Sequence, residues 1–499
     1  MKIIQTFWTK PIYDSFDKED GRKKGGWIEE KYNYFSWGLS CLNLCKLYDE
    51  VELYTDKRGY DILVNQLKLP YTKVHCCLDD LLSGIPSQLW SVAKLVVYSL
   101  QETPFLHIDG DVFLWKKLPE WVETAGLVVQ NFELGDSLEC YRVAMSVVRK
   151  NCIDIPDVFI DKEKDETDDA VNAGVFGGTD TSFIQSYARY VLSYIKKNLD
   201  SFNFDEAAKL NVLLEQQIFL LLAKKNTRVI RPLFNHVSPD FSDVIEFHRI
   251  YTGTGFIHML GDAKWNKHGC ELVENHVRLS YPEYYKLISS KFVIKDKRVM
   301  GRDFDHSRKI AEKYISCCSP WRDIVRTVVC RIKEYEPNRV LFYKNIWKIE
   351  KTIYNIGNTS HIFSDERYSN FVNMDNFLKR NDFDSFLMNS RFSLTSGLDI
   401  FISKFSLESI ESNIPDSCQK ETVILIKNEE SGAVLESLGL TDSLIIYFRN
   451  EVLSGWQFYN ILRKLLNTDI NESSAREIAF SFLLKHSVFN GYLSIVNGN

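Results

Sequence analysis

The first part of this sequence predicts an α/β fold, a mostly parallel sheet covered by helices. Three observations predict it. Strand-like and helix-like segments alternate over the first hundred residues, the strand-like runs are short and stop at turn-forming or charged residues such as Asp56 and Asp109, and one helix-like run opens with a proline in its first turn, Pro86.

In order, Lys2 to Trp8 reads as a strand closed by Pro11, and Tyr32 to Leu47 has helical apolar spacing. Val51 to Thr55 is β-rich, Arg58 to Leu67 is helical until Leu69-Pro70 breaks it, and Tyr71 to His75 is a further strand. Pro86 to Leu100 is expected to be a helix, and Phe105 to Ile108 a strand that ends at Asp109. Gly126 to Gln130 continues the strand series, residues 161–169 form a charged loop, and Val171 to Gly178 is a glycine-punctuated strand or turn. Ser182 to Asn198 and Phe204 to Lys225 are helical, whereas Val229 to Pro232 and Phe256 to Leu260 are strand-like. Residues 1–290 are read as one domain and residues 291–499 as an accessory region, mainly helical α/β, that starts with a basic linker at Lys291 to Arg302. Within it, 303–390 is expected to be helical, Thr422 to Lys427 and Leu444 to Phe448 β-like, Trp456 to Leu466 and Ser473 to Lys485 helical, and Tyr492 to Val496 a strand.

The 499 residues are 45% hydrophobic and 26% charged, which sets the chain among folded globular proteins rather than disordered ones. A formal net charge of −6 argues against a protein that coats nucleic acid, yet leaves room for a local basic pocket. The 24 Tyr and 32 Phe supply core, and an aromatic-rich surface also suits sugar stacking. The 11 cysteines are odd in number and lack CxxC spacing, so free thiols in a reducing cytosol are expected. The N-terminus is too short and polar for a signal peptide, and no run of about 18 apolar residues exists. A cytoplasmic location follows as an expectation.

Four segments carry chemistry. Phe105-Leu106-His107-Ile108-Asp109-Gly110-Asp111 delivers two carboxylates from the end of an apolar strand. Residues i and i+2 of a strand face the same way, and two hard oxygen donors suit Mg²⁺ or Mn²⁺ on a diphosphate; a solvated strand-end turn explains the pair about as well when it is taken alone. In Val171-Asn172-Ala173-Gly174-Val175-Phe176-Gly177-Gly178 the glycines suggest backbone close to a ligand, or simply a structural turn. Glu215-Gln216-Gln217 interrupts an apolar helix, and buried polar groups need partners, so it faces a ligand, a hydrogen-bond network or solvent. His258-Met259-Leu260-Gly261-Asp262-Ala263-Lys264-Trp265 joins an imidazole that can ligate a transition metal to a lysine that can meet phosphate, with Gly261 permitting a tight turn; a lone His on an apolar run is otherwise a core residue.

Together and in this order, these segments resemble the GT-A glycosyltransferases, especially the retaining family 8 group that includes glycogenin and bacterial galactosyltransferases. The shared pattern is a DxD after a strand, N-(S/A)-G-V, a (D/E)-Q pair in a helix, then H-x-x-G-x-x-K and a Trp, and it spans about residues 1–270. The resemblance implies a metal-dependent transfer of a sugar from a nucleotide-sugar, UDP-linked, to a saccharide, lipid-linked, protein or peptide acceptor. It implies that Asp109, Asp111 and His258 ligate Mn²⁺ or Mg²⁺, with Asp109 also near the ribose. Lys264 and the Gly261 backbone would hold the diphosphate. Asn172 and Ala173, with the backbone at Gly174, would line the sugar and acceptor side. Gln216 would lie near the anomeric carbon, Glu215 would bind sugar hydroxyls, and Lys94 would touch donor sugar and phosphate; a solvated helix lysine is the plainer account of Lys94. The chain departs from the pattern in lacking a Pro before Trp265, in having Glu215 where Asp is usual, and in the long spacing from Asp111 to Asn172.

Two other readings compete. A sugar nucleotidyltransferase would carry a glycine-rich basic loop after the first strand, where this chain has Thr9-Lys10-Pro11; its GRKKGG at 21–26 lies further on. A carbohydrate- or peptide-binding protein on an inactive transferase scaffold would not need Asp109, Asp111 and His258. The accessory region is expected to pack on the catalytic domain, shape the acceptor site or make a homodimer contact; a small winged-helix-like module at its end is the alternative.

Overall fold

The computed structural model of the protein describes residues 1–13, 24–133, 139–151, 156–162, 169–201, 204–238, 241–251, 253–292, 299–300, 309, 333, 339–412, 421–429, 432–465 and 472–496. The chain divides into two compact units, Met1–Val293 and Ile294–Asn499.

The first unit is α/β, as the alternation of segments predicts. Its strands are β1 (Lys2–Phe7), β2 (Val51–Thr55), β3 (Lys73–Cys76), β4 (Phe105–Ile108), β5 (Val112–Leu114), β6 (Leu127–Glu133), β7 (Ala170–Gly178), β8 (Ile230–Phe234) and β9 (Phe256–His258). Seven of them form one sheet in the order β3-β2-β1-β4-β7-β6-β8. All neighbours are parallel except β7, which runs antiparallel to β4 and β6. The remaining two, β5 and β9, pair antiparallel as a separate ribbon.

Both faces of the sheet are covered. Ile4, Phe105, Val129 and Phe176 pack with the helices Val92–Ser99, Thr181–Asn198 and Ile218–Lys225. Their sequence neighbours Ile3, Leu106, Val128 and Val175 point the other way, into a second core with Leu44 of the helix Glu30–Leu47. Such two-sided burial is what a mostly parallel sheet covered by helices requires, each buried large side chain contributing about 1.5–3 kcal/mol.

Several local expectations need correction. The helix expected from Pro86 starts only at Val92. Residues Ser87 to Ser91 form turns instead, held where Asn211 Oδ1 accepts from the Ser91 backbone N–H and Asn211 Nδ2 donates to the Gln88 carbonyl. The helix at Arg58 to Leu67 starts as an α turn, Lys57–Tyr60, and widens to π geometry over Asp61–Gln66. The charged stretch 161–169 falls largely outside the described residues, and its first two residues end the helix Asp157–Lys162.

In the second unit, the helices Val340–Gly357, Phe363–Leu378 and Phe383–Asn389 match the helical reading of the part of 303–390 that is described. The Lys291 to Arg302 linker lies mostly outside the described residues. Among the described residues, two small sheets accompany the helices. One orders β10 (Val299–Met300), β14 (Gly432–Ser437), β13 (Thr422–Glu429) and β12 (Leu398–Ser403), with β12, β13 and β14 antiparallel over a core that includes Ile346, Ile349, Ile424 and Ile426. The other is β15 (Leu453–Ser454), β11 (Arg391–Leu394) and β16 (Leu493–Ile495), next in sequence to the helices Gly455–Leu465 and Glu472–Leu484. Leu444 to Phe448, expected to be β-like, is instead part of a 3₁₀ segment, Asp442–Phe448. A short apolar run has no periodicity to separate strand from helix, and here Ile445 and Phe448, three residues apart, are the pair that is buried.

Among the described residues, Cys41, Cys45, Cys76, Cys77, Cys140 and Cys270 are free thiols, and no helix is long and apolar enough to cross a membrane.

Candidate functional site

The site forms beyond the carboxyl end of β4, at the centre of the sheet. Open α/β sheets bind ligands there, where the strand order reverses. β4 lies between β1 and β7, and the Asp109 backbone N–H still donates to Gly174 O of β7 at 3.0 Å. The chain then turns through Gly110. A Cβ at Gly110 would lie 2.5 Å from the Trp37 ring, so only glycine lets that indole cover the turn. Ser36 Oγ donates to Gly110 O at 2.7 Å and secures it further.

Asp111 leads into β5, and the β5–β9 ribbon explains how a histidine so far along the chain arrives beside it. Val112 pairs with His258, and the Met259 N–H donates to Asp111 O at 3.0 Å. The result is a cluster in which one ligand atom each from Asp109, Asp111 and His258 all lie within 4.8 Å of one another. His258 Nε2 is 3.5 Å from Asp111 Oδ1. That oxygen is buried and lacks a hydrogen-bond partner. A buried carboxylate oxygen left in this state is costly unless something else meets it. Two carboxylates and one imidazole form a donor set that suits Mn²⁺ or Mg²⁺, so the residues present fit a divalent cation.

Two lysines flank the cluster. Lys94, on the helix Val92–Ser99, reaches Asp109 Oδ1 at 2.7 Å and Glu215 Oε1 at 3.1 Å. It is therefore tied into the site rather than solvated. Lys264 pairs with Asp111 Oδ2. Gly261 starts the 3₁₀ turn Gly261–Trp265 with φ of +52°, and an added Cβ would meet nothing nearby, so its backbone conformation alone calls for glycine. The Lys264 carbonyl accepts from the Ile28 N–H at 3.0 Å, and the Lys264 ammonium is 5.9 Å from the buried Trp27 ring. The end of the glycine-rich basic stretch thus sits beside Lys264, a neighbour the sequence did not disclose.

Electrostatics differ between the two aspartates. Burial raises the Asp109 carboxyl above its ordinary value against the pull of Lys94. Burial would raise Asp111 too, but the Lys264 ammonium outweighs it and holds that carboxyl well below the usual range. Burial pushes Glu215 up to about 7 despite Lys94. For Lys94, burial works downward, but Asp109 and Glu215 reverse it and leave the ammonium above its ordinary value.

Glu215 and Gln216 sit on a π-helical turn, Leu213–Gln217, between α-helical stretches. Such single wide turns gather at functional sites. Glu215 is fully buried, meeting Lys94 and the Tyr98 hydroxyl, which donates to it at 3.3 Å. Gln216 faces a second network. The Tyr141 hydroxyl donates to Glu133 Oε2 at 2.7 Å and touches the Gln216 carboxamide, while Asn172 Nδ2 donates to Glu133 Oε1 at 2.9 Å. Asn172 Oδ1 also accepts from the Gly174 N–H at 3.0 Å.

Of the residues singled out in the sequence, Asp109, Asp111, His258, Lys264, Lys94 and Glu215 therefore form one connected group, and Asn172 and Gln216 are joined through Glu133 and Tyr141. Ala173 places its methyl group in the helix-side core. At Gly174 a Cβ would lie 2.4 Å from His258 Cε1 and 2.5 Å from Gln130 Oε1, so its lack of a side chain makes room for His258 and Gln130. Glu133, Tyr141 and Gln130 escaped the sequence reading. Only the nearness of Gln130 and Glu133 to the end of a strand marked them.

Fold and site together define an α/β protein with a candidate cation-binding group at the carboxyl end of its central strand. The chain belongs to a family of unknown function, DUF6734, whose model matches residues 1–291. No curated protein matches the chain. Similar solved structures include the apo form of mouse xyloside xylosyltransferase 1, at 9% identity over 46% of this chain and 84% of that one, with a TM-score of 0.27. Galactosyltransferase LgtC in complex with donor and acceptor sugar analogues is 12% identical over 59% of this chain and 98% of that one, with a TM-score of 0.29. The glycosyltransferase GlyE of Streptococcus pneumoniae TIGR4 is 11% identical over 62% of this chain and 71% of that one, with a TM-score of 0.29.

Proposed function

We propose that residues 1–290 are the catalytic domain of a GT-A glycosyltransferase that moves a sugar from a nucleotide-sugar, UDP-linked, onto an acceptor, in the cytoplasm where nucleotide sugars are made. Residues 291–499 serve as its accessory region. The observation that carries this reading is the convergence of Asp109, Asp111 and His258, drawn from two distant segments, around a buried carboxylate oxygen that has no partner.

In this reading those three side chains hold Mn²⁺ or Mg²⁺, which when bound neutralises charge on a leaving diphosphate. The chain's own residues do the rest. Lys264, paired with Asp111, exchanges that carboxylate for phosphate oxygens as a donor enters, and stabilises charge that grows on them. Lys94 keeps Asp109 and Glu215 in fixed positions, and its buried ammonium faces the donor sugar. Glu215, beside it, accepts from sugar hydroxyls. Gln216 lies near the anomeric carbon, its carboxamide oriented by Tyr141. Asn172, held by Glu133, lines the acceptor side. For a retaining outcome, the leaving phosphate oxygen takes the acceptor's proton, and no separate base is needed.

The test is a panel of nucleotide sugars with Mn²⁺, read as release of nucleoside diphosphate. Turnover with at least one donor, abolished in Asp111→Ala, is expected. Wild-type-like release by Asp111→Ala would reject the site, and failure to bind UDP with Mn²⁺ in calorimetry would point to a scaffold without transferase chemistry.

A further inference from the structure

A histidine can serve a metal only through a nitrogen that carries a lone pair, and which nitrogen that is depends on what the other one meets. His258 Nδ1 lies 2.7 Å from Gln130 Oε1. An amide oxygen accepts and never donates, so this contact requires a proton on Nδ1.

The direction of the Gln130 amide is itself determined. Gln130 Nε2 donates to Asn131 Oδ1 at 3.1 Å, and Asn131 Nδ2 donates to the Phe132 carbonyl at 3.0 Å. A backbone carbonyl has no proton to give. Starting from Phe132 O, each amide in the series must therefore present its NH₂ toward the carbonyl and its oxygen toward the histidine. Reversing Gln130 would set its NH₂ against Nδ1 and its oxygen against the Asn131 oxygen. Reversing both amides would set an oxygen against the Phe132 carbonyl.

The backbone supports the same arrangement. The β6–β7 register shifts between Val129 and Asn131, a bulge that brackets Gln130. Bulges re-aim side chains, and they recur beside functional sites. Gln130 is fully buried, and with the imidazole it fills the space left by the missing side chain of Gly174.

We infer that Gln130 is a positioning residue. Its amide, oriented by Asn131 and the Phe132 carbonyl, fixes His258 with Nδ1 protonated and turns the Nε2 lone pair toward Asp109 and Asp111, ready for a divalent cation. This inference rests on the cation reading above, and partners that orient a metal-bound histidine in this way are worth about 10- to 100-fold in metal affinity.

The experiment has two arms, both on the full chain. In the first, the metal-free protein labelled with [¹⁵N]histidine is examined by long-range ¹H–¹⁵N spectroscopy, with His258→Ala identifying the resonances. A protonated Nδ1 and an unprotonated Nε2 are expected, and the opposite tautomer overturns the inference without any variant at Gln130. In the second, Mn²⁺ is titrated by electron paramagnetic resonance. Gln130→Leu should weaken Mn²⁺ about 10- to 100-fold with its circular dichroism unchanged. Asn131→Leu, which leaves the Gln130 amide without its orienting partner, should fall between Gln130→Leu and wild type. Wild-type affinity in Gln130→Leu overturns the inference. Absence of Mn²⁺ binding by the wild type, with Nδ1 still protonated, would sink the cation reading and leave the relay standing.

Discussion

Each of the two units contains an aspartate, a lysine and a histidine in contact, and the two clusters have opposite polarity. In the second unit, Lys485 Nζ reaches Asp442 Oδ1 at 2.7 Å and Oδ2 at 3.0 Å, and His486 Nε2 meets Oδ1 at 3.2 Å. Asn490 Nδ2 faces His486 Nδ1 at 3.3 Å, and the Nε2 side of the ring meets the carboxylate. Both oxygens of Asp442 are used. In the first unit the histidine's far nitrogen faces an acceptor instead of a donor, its near nitrogen offers a lone pair, and a second aspartate stands alongside. One oxygen of Asp111 is left without a hydrogen bond. The same three residue types thus build a closed tie in one place, and in the other leave a carboxylate oxygen unmet beside a second aspartate. Composition alone does not distinguish them.

Four perturbations test that contrast. The largest effect is expected from Asp111→Asn, which should lower donor turnover by at least about 100-fold and remove Mn²⁺ binding, as losing a group directed at developing charge does. Turnover within a few-fold of wild type would place the chemistry elsewhere. Next is Gly174→Ala, whose methyl group would press on His258 and Gln130. Mn²⁺ affinity should fall about 10-fold while the fold persists, since the imidazole must shift from its supporting amide. Unchanged affinity would mean that the ring has room to spare.

A stability effect should follow from Asp442→Ala. Removing the acceptor of a buried histidine costs about 1–3 kcal/mol in urea unfolding of the second unit, and Mn²⁺ affinity should not change. A change in metal binding there would break the distinction between the two clusters. The smallest effect concerns Glu215. Its folded value, near 7, lies above the ordinary 4.5, so the fold favours the protonated carboxyl. The stability this gives is complete below about pH 4.5 and is lost as pH rises through about 7. Glu215→Gln cannot ionise, so its unfolding free energy relative to wild type should rise between pH 5 and pH 8. Parallel pH profiles of the two proteins would show that Glu215 is not held this way.

Where the chain announces a structure with its own local chemistry, reading works well. Phe105 to Ile108 is apolar and Val51 to Thr55 β-rich, both are buried throughout, and both runs end where the strands end. Asp109 and Asp111 were legible because strand spacing, glycine and paired carboxylates coincide, and His258 because it fits an ordered series of motifs. Gln130 was not, since its role depends on a bulge and on partners distant in sequence, and a glutamine in a strand has no signature of its own. Nor does the sequence show that Lys264 meets Asp111, because that contact depends on the β5–β9 ribbon. In the second unit, the strands Arg391–Leu394, Leu398–Ser403 and Gly432–Ser437 carry no local signal that sets them apart in the sequence. They are short and half-buried, and tertiary pairing rather than local pattern selects them.

The wide turn at Leu213–Gln217 bears on how this chain can tolerate insertions and deletions. A π turn holds one residue more than the α-helix around it needs. Excising one residue there would let the helix rewind as an ordinary one. The flanking turns would keep their phase, because the wide turn is what absorbs the extra residue, and only the side chains within it would be re-aimed. Glu215 and Gln216 could not then both keep their directions toward Lys94 and Tyr141. A length change at this point, invisible in composition and mild for folding, would uncouple two networks that the present register holds together.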